Sequence, residues 1–130
     1  MDQNAALADI LAGLQQKYRE FNKLMDATRE MEQVSFDDEA SFSVLLQTRK
    51  NSMDNVDQID EKIKKAFAEL SEEAFARVTV LLSPDGEAGS AKTPLEEEIF
   101  NAGKQNMLLL RQIIDLDEKL SKALKDRIGD

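Results

Sequence analysis

The sequence predicts an all-α fold, an elongated antiparallel three-helix bundle with coiled-coil-like seams, and three observations carry that expectation. Three separate runs place apolar residues at alternating spacings of four and three, the repeat that keeps side chains on one helix face. Two prolines and five glycines in 130 residues leave those runs almost uninterrupted. The one β-branched stretch, Arg77 to Leu82, has no second strand candidate to pair with, so it reads as a helix end. A chain of this length is expected to form a single helical domain spanning residues 1–130.

The first helix is expected over about residues 5–33, with a seam of Leu7, Leu11, Leu14, Tyr18, Phe21 and Met25. Its break falls around Val34 to Glu39, where Ser35 or Asp37 can accept backbone N–H bonds at a new helix start. The acids that follow favour the positive end of the helix dipole, and so short a connection implies antiparallel neighbours.

The second helix is expected over about 38–81, with a seam of Phe42, Leu46, Arg49, Met53, Val56, Asp60, Ile63, Phe67 and Leu70, extended by Ala74, Val78 and Leu81. Ser71 followed by Glu72 and Glu73 could cap a separate helix. The sustained periodicity favours continuity. Residues 83–92 are rich in proline, glycine and small polar residues, and they predict a flexible loop. Thr93-Pro94-Leu95-Glu96 then opens the third helix, expected to reach about residue 128, with a capping-box pattern and proline at the first helical position. Its seam is Leu95, Ile99, Ala102, Asn106, Leu109, Ile113, Leu116, Leu120 and Ala123.

Composition narrows the function. A net charge of −9 would repel a phosphate backbone, and the basic clusters are interleaved with acids, so no nucleic-acid partner is expected. No run approaches the roughly 20 apolar residues of a membrane span, and the first residues lack a signal-peptide pattern. With no cysteine, these features suit a cytoplasmic location. No histidine, thiol, glycine-rich phosphate cradle or nucleophile elbow is present, so no catalytic residue and no cofactor is assigned and the chain is not expected to be an enzyme. The acidic clusters Asp37/Asp38/Glu39 and Glu96/Glu97/Glu98 lack the histidine of helix-bundle metal sites and read as helix starts; no metal is expected. Arg49, Asp60 and Asn106 interrupt the seams, either as points where another chain is accepted or as long polar groups reaching solvent.

The third helix carries more apolar surface than one seam needs, because Met107 to Leu110 and Ile113-Ile114 widen its face. The half from Leu109 to Leu116 reads as burial between the other helices. The end offers Leu116, Leu120, Leu124 and Ile128 as apolar contacts for a protein partner, with Lys119 and Lys122 as a charged rim.

The run Leu45-Leu46-Gln47-Thr48-Arg49-Lys50 followed by Val56-Asp57-Gln58-Ile59-Asp60-Glu61-Lys62-Ile63 resembles the second helix of flagellar type III export chaperones of the FlgN/FliT kind. The first helix with Tyr18 and Leu24, and the last with Ile114-Asp115-Leu116-Asp117-Glu118-Lys119-Leu120, are similar in layout, and residues 83–92 would be an added loop. The resemblance implies a cytoplasmic bacterial chaperone for hook-associated or filament-cap subunits, preventing their premature assembly and using its amphipathic last helix to capture them. The rival expectation is a structural coiled-coil subunit or scaffold, and a homodimer is compatible with either.

Overall fold

The computed structural model describes residues 3–34 and 37–128, without the side chains of the last two. It contains four helices rather than three: α1 (Gln3–Gln33), α2 (Glu39–Ala68), α3 (Glu72–Leu81) and α4 (Pro94–Ile128), with a single 3₁₀ turn at Ala88–Ser90. No strand occurs among the described residues, and Arg77 to Leu82 is the end of α3 and its cap. Helix α1 is the central member. Helices α2 and α4 each pack along it and scarcely meet one another.

Side-chain pairs fix the directions. Lys17 meets Asp60 and Glu20 meets Asn55, so α2 runs antiparallel to α1. Leu7 shares a cluster with Ile99, and Asn106 reaches Leu14, so α4 runs parallel to α1. Flanked on two sides, α1 buries a broad face in which Ile10, Leu24, Ala27 and Met31 join the seam residues Leu7, Leu14, Phe21 and Met25. Tyr18, expected on the seam, is more than a third exposed.

The expected continuous second helix is broken, and its end chemistry explains where. The Glu69 N–H bonds to the carbonyls of Ala66 and Phe67, closing α2 with a tight turn. Ser71 then takes an extended backbone and its hydroxyl accepts from the Ala74 N–H at 3.2 Å, while Glu72 and Glu73 occupy the positive end of α3. The Gln3 side chain secures this corner, donating to the Glu69 carbonyl and accepting from the Ser71 N–H. At the other end of α2 the cap is Asp38, whose carboxylate accepts from the Ser41 N–H at 3.1 Å, in place of the expected Asp37. Ser35, the other expected cap, lies outside the described residues. Hydrogen bonds from the side chain and backbone of Ser41 hold the Asp38 carboxyl below its ordinary pKa.

Helix α2 keeps Val56, Ile63, Phe67 and Leu70 of the expected seam packed against the core, but the positions between them shift by one residue. Its buried residues are Ser52, Ile59 and Ala66, whereas Leu46, Met53 and Asp60 are exposed. Gly13 of α1 lies so near α2 that a Cβ there would fall 2.5 Å from Ile63 Cγ1, so the missing side chain makes room for a large seam residue of α2.

The core divides in two. One cluster joins Leu7, Ile10 and Leu14 of α1 to Ala66, Val78 and Ile99, so α3 closes this end across three helices. The other joins Phe21, Leu24 and Met25 to Leu109 and Ile113. Polar pairs lie between them: Asn106 Nδ2 donates to the Leu14 carbonyl at 2.9 Å, and Lys17 pairs with Asp60 at 2.9 Å.

Within residues 83–92, read from the sequence as a flexible loop, Gly86 is buried and its N–H bonds to the Ser83 carbonyl. A Cβ on Gly86 would lie 2.5 and 2.6 Å from the carbonyl oxygens of Val80 and Leu81, whereas one on Gly89 would meet nothing. Gly86→Ala is therefore expected to cost about 1–3 kcal/mol and Gly89→Ala almost nothing. Urea unfolding of the two variants measures the contrast, and equal midpoints would show that the turn is not packed as described.

Candidate protein-binding trough

Because α2 and α4 flank α1 without closing on each other, one side of the molecule is a trough with α1 as its floor. Helical spacing sets the walls. On α2, Arg49, Met53, Val56, Asp60 and Ile63 follow at four and three, and on α4 Gly103, Met107, Leu110, Ile114 and Asp117 do the same. Asp60, Ile63, Gly103, Met107 and Leu110 line a pocket of about 220 Å³ at the middle, over Leu14, Lys17 and Phe21. Met53, Leu110 and Ile114 are 53%, 39% and 48% exposed, apolar side chains on two helices bordering one floor.

Two ion pairs cross this space. Arg49 Nη2 donates to both carboxylate oxygens of Asp117, at 2.6 and 2.8 Å, and Nη1 lies 4.0 Å from the Met31 sulfur. Lys17 spans from floor to wall to reach Asp60. The seam interruptions thus have intramolecular partners: Arg49 bridges α2 and α4, Asp60 answers Lys17, and Asn106 is buried against α1. Asn106 Oδ1 and Arg49 Nε are buried without a hydrogen-bond partner.

The residues expected to bind a partner do not form an open stripe. Leu120 is 5% exposed, and Leu116 packs against the second core cluster. The offset that sets Asn106 beside Leu14 brings Leu120 level with the buried Thr28, so α1 already covers it. Leu124 is half-buried, Lys119 and Lys122 are exposed, and the Ile128 side chain lies outside the described residues. Lys122 borders an open hollow of about 410 Å³ beside Ile114 and Asp117. Of the half expected to be buried, Leu109, Ile113 and Leu116 pack in the second cluster, while the exposed apolar residues Leu108, Leu110 and Ile114 lie beside them on the other face of the same helix. A broad apolar face in sequence does not say which part a neighbour covers.

The acidic clusters serve helix starts. Asp38 caps α2, and Glu96, 1% exposed, is gripped by Arg77 through bonds of 2.7 and 3.0 Å while accepting the Lys92 N–H. Thr93 Oγ1 accepts the Glu96 N–H, so half of the expected capping box is present; the glutamate carboxylate turns to Lys92 and Arg77 instead of back to Thr93. Among the described residues no acidic or metal-ligating group of three could hold a metal ion, and no helix is long and apolar enough to cross a membrane. No family model matches the chain, and neither a curated protein nor a solved structure does.

Proposed function

We propose that this protein is a non-catalytic binding protein in which three long helices, packed through coiled-coil-like seams, leave a trough that captures an amphipathic helix of a protein partner. The single observation behind this reading is the exposure of Met53 on α2 and of Leu110 with Ile114 on α4, at helical spacing from Arg49 and Asp117, which pair between the two helices. From Arg49 to Ile63 the wall spans about 20 Å, roughly four turns of an incoming helix. Apolar positions at three and four suit a helix with the same spacing, which would complete a four-helix arrangement. The Arg49–Asp117 bridge limits how deeply such a helix can settle. A partner that orders on binding pays conformational entropy, so capture would be reversible.

Together with the resemblance to FlgN/FliT-like chaperones, this supports a cytoplasmic export chaperone whose partner is a hook-associated or filament-cap subunit held back from premature assembly. The test pairs two measurements on Leu110→Asp/Ile114→Asp. Both positions are exposed, so helicity and melting temperature should stay near wild type. Affinity for C-terminal segments of hook-associated and filament-cap subunits should fall at least tenfold. Unchanged affinity would remove the trough as the site. If the wild type binds none of these segments and sediments as a salt-resistant, concentration-independent oligomer, the chain is a structural coiled-coil subunit instead.

A further inference from the structure

The α4 side of the trough carries a charge bias opposite to that of the chain, whose net charge is −9. Met107, which lines the middle pocket, also lines a hollow of about 190 Å³ with Pro84, Lys104, Leu108 and Arg111, and no carboxylate is among them. Further along α4, Ile114 shares its hollow with Lys122 and Lys125 and with the acids Asp117 and Glu118. Asp117 is already bonded to Arg49, as Asp60 in the middle pocket is to Lys17. Lys104 Nζ donates to the Pro84 carbonyl at 3.0 Å and lies 5.4 Å from the centre of the Phe100 ring, contacts that hold its charge in place without cancelling it. Lys104, Arg111, Lys122 and Lys125 therefore have no carboxylate partner among the described residues, and Glu118 is the one unpaired acid lining either hollow. On the facing rim Lys50, Asp57 and Lys64 follow at intervals of seven and mix both signs, so the bias belongs to α4.

We infer that this flank of α4 selects the partner by charge, and that the trough takes an amphipathic helix whose apolar stripe is bordered by aspartate or glutamate. The inference rests on the trough reading above and adds the chemistry of the occupant. Met107, Leu110 and Ile114 receive the stripe, and acids beside it meet Arg111 and Lys122. Those two cations lie about three turns apart on α4, within the length of one captured helix. A stripe bordered by lysine meets like charge along the same flank, and a neutral border leaves only the apolar contacts. A phosphate backbone offers anions but nothing to cover Leu110 and Ile114, and two helical walls over one floor suit a rod rather than a flat bilayer. Pairs at a solvent-exposed rim add little affinity and are screened by salt, so they act chiefly by discriminating between partners.

Synthetic helical peptides of about four turns, sharing one leucine stripe and carrying glutamate, glutamine or lysine at the positions that border it, test this by fluorescence anisotropy with the full chain. At low salt the glutamate peptide should bind about threefold to tenfold more tightly than the glutamine peptide, and the lysine peptide most weakly. Sodium chloride at about 0.5 M should collapse that order while the leucine stripe stays bound. Arg111→Glu/Lys122→Glu changes two exposed residues that make no ion pair, so it should keep the wild-type melting temperature and reverse the order of the glutamate and lysine peptides. Equal binding of the three peptides, with binding still lost in Leu110→Asp/Ile114→Asp, overturns the charge selection and keeps the trough. A glutamate preference that survives in Arg111→Glu/Lys122→Glu also overturns it. Absence of binding by any peptide overturns both, and cosedimentation of the wild type with phosphatidylserine vesicles would then give these cations to a lipid surface.

Discussion

Ile10→Asp is expected to abolish the folded state. Ile10 has no exposed surface and belongs to the cluster in which α1 meets Ala66, Val78 and Ile99. The substitution forfeits about 1.5–3 kcal/mol of apolar burial and sets a carboxylate where no cation is within the cluster to pair with it. The combined cost matches or exceeds the roughly 5–15 kcal/mol that holds an ordinary domain together. Circular dichroism should show loss of most helicity at 25 °C, and Asp9→Ala, one position away on an exposed face, should leave it intact. A cooperative melt for Ile10→Asp near the wild-type temperature would place this side of α1 outside the core.

The second large effect belongs to Arg77. Its guanidinium lowers the pKa of the buried Glu96 carboxyl, aided by the Lys92 N–H and opposed by burial, and Arg77 is itself raised by the same partnership. Arg77→Met leaves a carboxylate in the closed end of the protein with only that backbone donor, at a cost of about 3–5 kcal/mol near pH 7. The sign of the pH dependence is specific. In the wild type the Glu96 contribution is complete above the ordinary pKa of 4.5 and is lost as pH falls through the depressed folded value. In Arg77→Met burial dominates and raises the folded pKa, so acid relieves the penalty. The stability gap between the two proteins should therefore narrow from pH 7 to pH 4 in denaturant titrations. A constant gap would mean that Arg77 acts through packing and not through the carboxylate.

These residues show what the sequence could and could not disclose. The long helices and the α4 start were legible because spacing, caps and dipole-matched acids are local signals, and Thr93-Pro94 opens a helix as its chemistry requires. The break at Ser71 carried its own signal, but Ala74, Val78 and Leu81 bury beyond it and keep a periodic pattern across the gap. The register of α2 was obscured for a different reason. Leu46 and Met53 are larger and more hydrophobic than Ser52 and Ala66, yet α2 rolls the Ser52, Ile59 and Ala66 stripe inward, a choice made by its packing on α1 that no local spacing discloses. The trough was illegible because it depends on which flank α1 leaves uncovered, a tertiary fact. Its ingredients were visible: Met107 to Leu110 and Ile113-Ile114 already showed a surplus, and Asp60 and Asn106 already stood out of pattern. Arg49–Asp117 and Arg77–Glu96 join residues far enough apart that no spacing rule pairs them.

The central position of α1 also dictates an order of assembly. Its α2-facing stripe finds its partners in the next segment of chain, so an α1–α2 hairpin can close as soon as both have left the ribosome. Its other stripe waits: Leu14 meets Asn106 only after 92 further residues. Until α4 arrives, Leu7, Leu14 and Phe21 have no cover on that side, and the nascent hairpin exposes an adhesive apolar strip along its whole length. The trough does not exist at that stage, since one of its walls is α4, and it forms only once α4 has packed on α1.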